Sequence, residues 1–248
     1  DIDAVCMNYA IARILSWAED DSKPCRYVVT PNVDHTVMLR EHGGLRQVYR
    51  DAHLVLADGF PIVLASKLVK KPLPERVAGS ELVPDLFAAI PRGTSLRVFL
   101  LGAASGVADR AAEVIHQRWP RVQVVGTYSP PLGFENDADE EERILARLQA
   151  AEPQVIVVGL GAPKQELWVH KHHKRLPGCV ALCVGATIDF IAGEKAQAPV
   201  WMRRVGLEWC HRVASEPRRL AKRYAKDAWV FPQLVWREWN LIGQPLRD

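Results

Sequence analysis

Asp58 ends a short apolar run, His53-Leu54-Val55-Leu56-Ala57, and is followed at once by Gly59. A carboxylate at the end of a buried strand can take a proton from an attacking hydroxyl, the work of a general base. The same Asp-Gly pair also suits a plain tight turn. Thr30-Pro31-Asn32 closes a second apolar run, and Gly102 closes a third. Gly102 to Gly106 opens a helical pattern whose free N–H groups could meet a phosphate or simply turn the chain. The middle glycine of the dinucleotide fingerprint is missing, and the next run ends Gly126-Thr127-Tyr128 without an acid for a ribose, which argues against NAD and a nucleotide-sugar oxidoreductase. The richest segment is Gly159-Leu160-Gly161-Ala162-Pro163-Lys164-Gln165-Glu166. There Pro163 at a helix start leaves neighbouring N–H groups facing a cleft beside a lysine, more than a turn alone needs. Gly185-Ala186-Thr187-Ile188-Asp189 follows the last run.

Other groupings read as structural. Asp137 and Asp139 have the spacing of a metal-binding acidic pair, but they run into Glu140-Glu141-Glu142, where acids complement a helix N-terminus. His170, His172 and His173 near the end of a Lys-rich helix are expected on a solvated face. Cys179 and Cys183 share one side of a buried strand and are expected in the core. No metal or cofactor is expected.

The elements that must hold these residues alternate. Strands are expected over 27–30, 53–57, 96–101, 122–127, 154–158 and 179–184, nearly continuous apolar runs of the kind buried on both faces. Helical patterns such as 105–119 and 140–151 lie between them. This implies an α/β fold: a Rossmann-like open, mainly parallel sheet with helices on both faces, joined by right-handed crossovers. In such sheets ligands bind beyond the carboxyl ends of the strands, where five of the polar and glycine segments above converge. The chain starts abruptly, so an earlier strand is expected upstream.

From Ala198 the strand signal stops. Helices are expected over 201–213 and 216–230, with Pro232 kinking or splitting the second. Leu220, Tyr224, Ala228, Phe231, Val235 and Trp239 form one apolar stripe at spacings of three and four, giving a C-terminal helical appendage. Residues 195–248 carry eleven Lys and Arg against five Asp and Glu, whereas the preceding 194 carry 21 against 24. Five of the eight tryptophans lie in the same stretch. Two parts are therefore expected: a body over 1–195 and a basic, Trp-rich appendage over 196–248. With 48% hydrophobic and 25% charged residues the chain is an ordinary globular one. No run approaches the roughly 18–20 apolar residues of a membrane span. The acidic start, Asp1-Ile2-Asp3, does not resemble a secretory leader. Five scattered cysteines suit reduced thiols in the cytoplasm.

Five ordered motifs resemble one family. They are Thr30-Pro31-Asn32; Ala57-Asp58-Gly59; Glu75-Arg76-Val77-Ala78-Gly79; Gly159-x-Gly161-x-Pro163-Lys164-Gln165-Glu166-x-Trp168; and Gly206-Leu207-Glu208-Trp209 with Arg212 and Glu216-Pro217-x-Arg219. Together, from near the first residue to about Tyr224, they resemble the WecG/TagA/CpsF glycosyltransferases. The resemblance implies a cytoplasmic bacterial enzyme, peripheral to the inner face of the membrane. It would transfer a sugar from a UDP-sugar to an undecaprenyl-diphosphate-linked sugar, inverting the anomeric centre without a metal. It makes Asp58 the base, with Thr30, Asn32 and Arg76 around it and Gln165 in catalysis. Gly161, Pro163, Lys164 and Asp189 fall where the nucleotide is expected; Gly102, Gly159 and Gly185 complete those strand ends. Arg212, Arg219 and Arg223 would meet the lipid diphosphate. N-acetylmannosamine, its uronic acid or glucose would be the sugar donated. Ala78 and Glu81 stand where the family would have Thr and Asp. A non-catalytic module binding nucleotide sugars or nucleic acid through the basic tail is the alternative, although no nucleic-acid motif accompanies the tail. For the tail itself the alternative to a membrane is packing on the body or on a second subunit of a homo-oligomer.

Overall fold

The computed structural model describes residues 1–20, 22, 24–176 and 178–242, without the side chains of Arg204, Arg219 and Ile242. A helix α1 (Met7–Ala18) precedes strand β1 (Arg26–Val29). Helices α2 (Val33–Glu41) and α3 (Gly43–Arg50) lead to β2 (Leu54–Val55), and α4 (Phe60–Leu68) and α5 (Gly79–Ala88) to β3 (Leu96–Gly102). Then α6 (Val107–Arg118), β4 (Val122–Tyr128), α7 (Ala138–Ala151), β5 (Val155–Gly159), α8 (Lys164–His172), β6 (Val180–Cys183) and α9 (Thr187–Ile191) alternate. Before α1, the Asp3 N–H donates to the Val55 carbonyl at 2.9 Å. The Val55 N–H donates back to the Asp3 carboxylate at 2.7 Å, so these first residues lie along the edge of β2.

All six strands pair in parallel in the order β2-β1-β6-β5-β3-β4. Alternate residues of each strand go to opposite faces, and both faces are buried except along the edge strand β4, where only Val122 is buried. Val28, Leu100, Val157 and Leu182 pack under α1, α5, α6 and α9 with Ile14, Leu82, Ile115 and Ile188. Tyr27, Leu101, Ile156 and Cys183 pack under α3, α7 and α8 with Leu45, Ile144 and Trp168. Cys179 and Cys183 are core residues, as expected. Strand order reverses twice, so that β1 lies against both β2 and β6, and β3 against both β4 and β5. Each reversal opens a crevice at the carboxyl ends, where a doubly wound sheet receives its ligand.

The tail differs from expectation in two places. The helix expected over 201–213 is broken into α10 (Val200–Arg204) and α11 (Glu208–Ser215). Gly206 between them has φ +78°, which turns the chain out of the helix. Conversely, α12 (Pro217–Ile242) runs for 26 residues straight through Pro232. The Gln233 side chain donates to the Trp229 carbonyl at 3.0 Å there, adding a donor beside the N–H that proline lacks. Residues 243–248 lie outside the described residues.

Helix α12 crosses α2 and α4. Leu220 is buried, and the Lys226 ammonium sits 2.7 Å from Glu41. The His expectation also needs correction: His172 is 3% exposed and packs on Trp168, because α8 turns that side toward the sheet. His170 faces Asp51 at 2.8 Å. Asp137 is the N-cap of α7 and accepts from the N–H groups of Asp139 and Glu140, the structural reading of that acidic pair. Among the described residues no three His, Cys, Asp or Glu side chains converge as a metal site would need.

Candidate active site

The chain leaves β2 through Leu56 and Ala57, and the Asp58 N–H is held by the Pro31 carbonyl at 2.9 Å. Gly59 then takes φ +135°, open to glycine, and Pro61 lies in the first turn of α4. This turn puts the Asp58 carboxylate, half-buried, in a cavity of about 270 Å³. One wall is the body, with Asn32, Phe60 and Arg76; the other is the tail, with Glu208, Arg212 and Phe231. Of the apolar stripe expected on α12, Leu220 is buried and Tyr224, Ala228 and Phe231 line this cavity.

Charge is arranged around Asp58 in alternating sign. Arg76 donates to Glu81 at 2.5 Å and lies 3.7 Å from Glu208. Arg212 lies 3.4 Å from Glu208, and Arg203 donates to Glu81 at 2.6 Å. Glu81 thus ties the body's Arg76 to the tail's Arg203. Ala78 is the N-cap of α5 and offers no side-chain bond, where the Thr of the family pattern could cap it. Burial pushes the Asp58 carboxyl up from its ordinary 3.8 to about 6, and the negative Glu208 adds to this. Arg212, Arg76 and His35 pull the other way. A carboxyl held there exchanges protons readily near neutral pH.

A second network lies behind Asn32. The Asn32 side chain caps α2, accepting from the His35 N–H at 3.3 Å, and His35 Nδ1 lies 2.8 Å from Asn32 Oδ1. His35 Nε2 in turn lies 3.3 Å from Glu166 Oε1, which accepts from the Gln165 side chain at 2.8 Å. Gln165 and Glu166 are 2% and 1% exposed, and Gln165 Oε1 finds no hydrogen-bond partner among the described residues. Sequence reasoning missed His35 and the buried role of Glu166. The spacing Asn32-x-x-His35, an N-cap and its third residue, was the available signal.

The other expected residues fall into two groups. Thr30 is buried and donates to the Cys183 carbonyl at 3.0 Å, closing the β1/β6 crevice rather than lining the cavity. The second group borders the β3/β5 crevice and the loop after β6, apart from that cavity's wall. Gly102 pairs with Gly159, and a Cβ on Gly102 would sit 2.5 Å from the Gly159 backbone, so two strand ends meet where only glycine fits. Gly161 and Gly185 both have positive φ, and Pro163 precedes α8. The Gln165 N–H is taken by the Gly161 carbonyl at 3.0 Å, so one amide expected to face the cleft is not free. Lys164 pairs with Glu135, and Asp189 lies 3.9 Å from Lys195.

Of the tail arginines, Arg212 lines the cavity with its guanidinium over the Phe190 ring, while Arg223 pairs with Asp34 at 2.8 Å. The Arg219 side chain lies outside the described residues. Asp227 beside them is buried and pushed up to about 6 by burial and by Asp34. Gly206 explains how the tail seats: a Cβ there would meet the Phe60 ring at 2.7 Å, so the backbone of the α10–α11 turn lies directly on the start of α4.

Comparison with known proteins adds to this geometry. The model of the glycosyl transferase WecG/TagA/CpsF family matches residues 1–243. Among curated relatives, N-acetylglucosaminyldiphosphoundecaprenol N-acetyl-beta-D-mannosaminyltransferases of Staphylococcus aureus strains MW2 and NCTC 8325 are each 28% identical over 222 residues. The match covers 90% of this chain and 85% of each relative.

Proposed function

This chain belongs to the WecG/TagA/CpsF glycosyltransferase family, and from that premise we propose that it transfers N-acetylmannosamine from a UDP donor to N-acetylglucosamine carried on undecaprenyl diphosphate. The sugar transferred and the acceptor follow the names of the relatives, and the UDP carrier follows the family resemblance. The observation that carries the reading is Asp58, a raised carboxyl between cations of the body and of the tail. In the proposed step the acceptor hydroxyl gives its proton to Asp58 as its oxygen bonds to the anomeric carbon from one side. The bond to UDP breaks on the other side, its electron pair staying on the departing diphosphate, and the centre inverts. No metal takes part in this scheme. Lys164 and the N–H groups after β5 and β6 meet the growing charge instead, while the cavity arginines orient the acceptor's diphosphate. Gln165, Asn32 and Thr30 hold the two crevices in register.

Residues 1–195 form the catalytic body in this reading and 196–248 an appendage that meets the inner face of the cell membrane. Trp201, Trp229, Trp236 and Trp239 are more than half exposed, and such side chains favour the membrane interface. Basic neighbours add attraction to anionic lipid. No described helix is long and apolar enough to cross a membrane.

UDP release across a panel of UDP-sugars, with N-acetylglucosamine on a short-chain lipid diphosphate as acceptor, tests the assignment. Release is expected with UDP-N-acetylmannosamine and should be unchanged by EDTA. Release with another donor alone would correct the sugar, and loss in EDTA restored by manganese would reject the metal-free scheme.

The pH dependence has a defined sign. A base with a pKa of about 6 gives kcat/KM an acid limb that falls below that pH. Glu208→Gln removes the like charge and leaves Arg76 and Arg212 freer to face Asp58. The limb should then move to lower pH, and a limb that stays or rises would mean that another group titrates.

A further inference from the structure

Beyond Phe60, on which the α10–α11 turn lies, the outer face of α4 is apolar without being covered. Phe60, Leu64 and Leu68 recur every fourth residue and are 44%, 50% and 56% exposed. Across from Leu64 and Leu68 stand Val235, Trp236 and Trp239 of α12, and between the two helices runs a groove of about 400 Å³ with no charged residue in its lining. The groove is continuous with the Asp58 cavity, because Pro61, Phe231 and Pro232 line both. Along this joined channel polarity is sorted. Arg76, Arg203, Arg212 and Arg223 all lie in the cavity half, beside the carboxyl groups of Asp34, Asp58, Glu208 and Asp227 with which an entering anion would exchange, and only hydrocarbon and aromatic side chains line the other. Lys67, Lys70 and Lys71 are exposed at the far end of α4. A molecule matched to this sorting has an anionic head beside the arginines and an apolar chain leading away.

We propose that the α4–α12 groove binds the first isoprene units of the acceptor's polyprenyl chain, so that the chain is recognised along with its diphosphate-linked sugar. The proposal rests on the lipid-diphosphate acceptor of the preceding section. From Pro61 to Leu68 the groove follows about two helical turns, about 10 Å. It therefore covers only the start of a long chain, which leaves over the basic end of α4, the side on which an anionic lipid surface would be met. A groove, unlike a convex patch, surrounds one chain, and its continuity with the cavity is what singles out the acceptor's own.

Calorimetric titration of the full chain with inorganic pyrophosphate and with geranyl, farnesyl and geranylgeranyl diphosphates tests this. Affinity should rise at least tenfold from pyrophosphate to the geranyl compound, whose two isoprene units span the groove, and level off in the longer ones. In Leu64→Gln/Leu68→Gln, both exposed positions, the rise should vanish while pyrophosphate affinity is unchanged. Ala65→Phe, which fills the groove without removing apolar surface, should flatten the series too. A flat series in the unaltered chain, or an equal rise in both variants, overturns the groove and leaves the glycosyltransferase reading standing. Absence of binding by every diphosphate would instead remove the acceptor reading, and the groove with it. Variants that keep the rise but no longer sediment with phosphatidylglycerol vesicles would make this face a bilayer contact. Variants that keep the rise but change oligomeric state would make it a subunit interface. Either result overturns the proposal.

Discussion

Asp58→Asn should lower turnover by about 10²–10⁴ with the fold intact. The amide keeps the shape and the half-buried position but cannot accept the proton of the attacking hydroxyl. Its effect on stability separates this from simple damage. The folded-state pKa of Asp58, about 6, lies above its ordinary 3.8, so the fold disfavours the ionised form. That penalty is complete above about pH 6 and disappears as the pH falls below 3.8. The asparagine form should therefore melt no lower than the parent at pH 8, and the two should converge as the pH falls below 3.8. Near-normal kcat in a folded Asp58→Asn protein would remove the base assignment.

The second large effect is expected from ending the chain at Lys195. Both main core clusters are built from residues that precede it, so the sheet and its helices keep their packing. The cavity, however, loses Arg203, Glu208, Arg212 and Phe231, one whole wall. Turnover should fall at least 10³-fold, comparable to removing the base, because the acceptor would lose the cations that orient it. Sedimentation with anionic vesicles should fall with it if the tryptophans and basic residues of the tail supply the contact. A shortened chain that still turns over near the parental rate would confine the active site to the body, and equal vesicle binding would remove the tail's membrane role.

Much of the fold was legible because its strands are buried on both faces. Runs such as Val155-Ile156-Val157-Val158 have few other uses, and their alternation with helices dictates a parallel sheet. The turn after β2 was legible for the same reason, since a polar Asp-Gly at the end of such a run must emerge at the cleft. The tail was harder to read. Trp201 to Val213 has a helical pattern, but Gly206 is claimed by the close approach of Phe60, a contact no local pattern contains. Pro232 misled in the opposite direction, because α12 is held along its length by Leu220, Phe231 and ion pairs to α2 and so tolerates one missing donor. The contact between His35 and Glu166 was not legible because it depends on where α2 and α8 pack.

Glu81 holds Arg76 and Arg203, Glu208 flanks Arg212, and Asp34 holds Arg223. Four guanidinium groups can therefore crowd around one small space without bursting it apart. An arriving anion meets no bare cations; it must trade places with a carboxylate already there. Recognition becomes an exchange of partners, less sensitive to ionic strength than naked arginines would be, and the displaced acids are left to find new company.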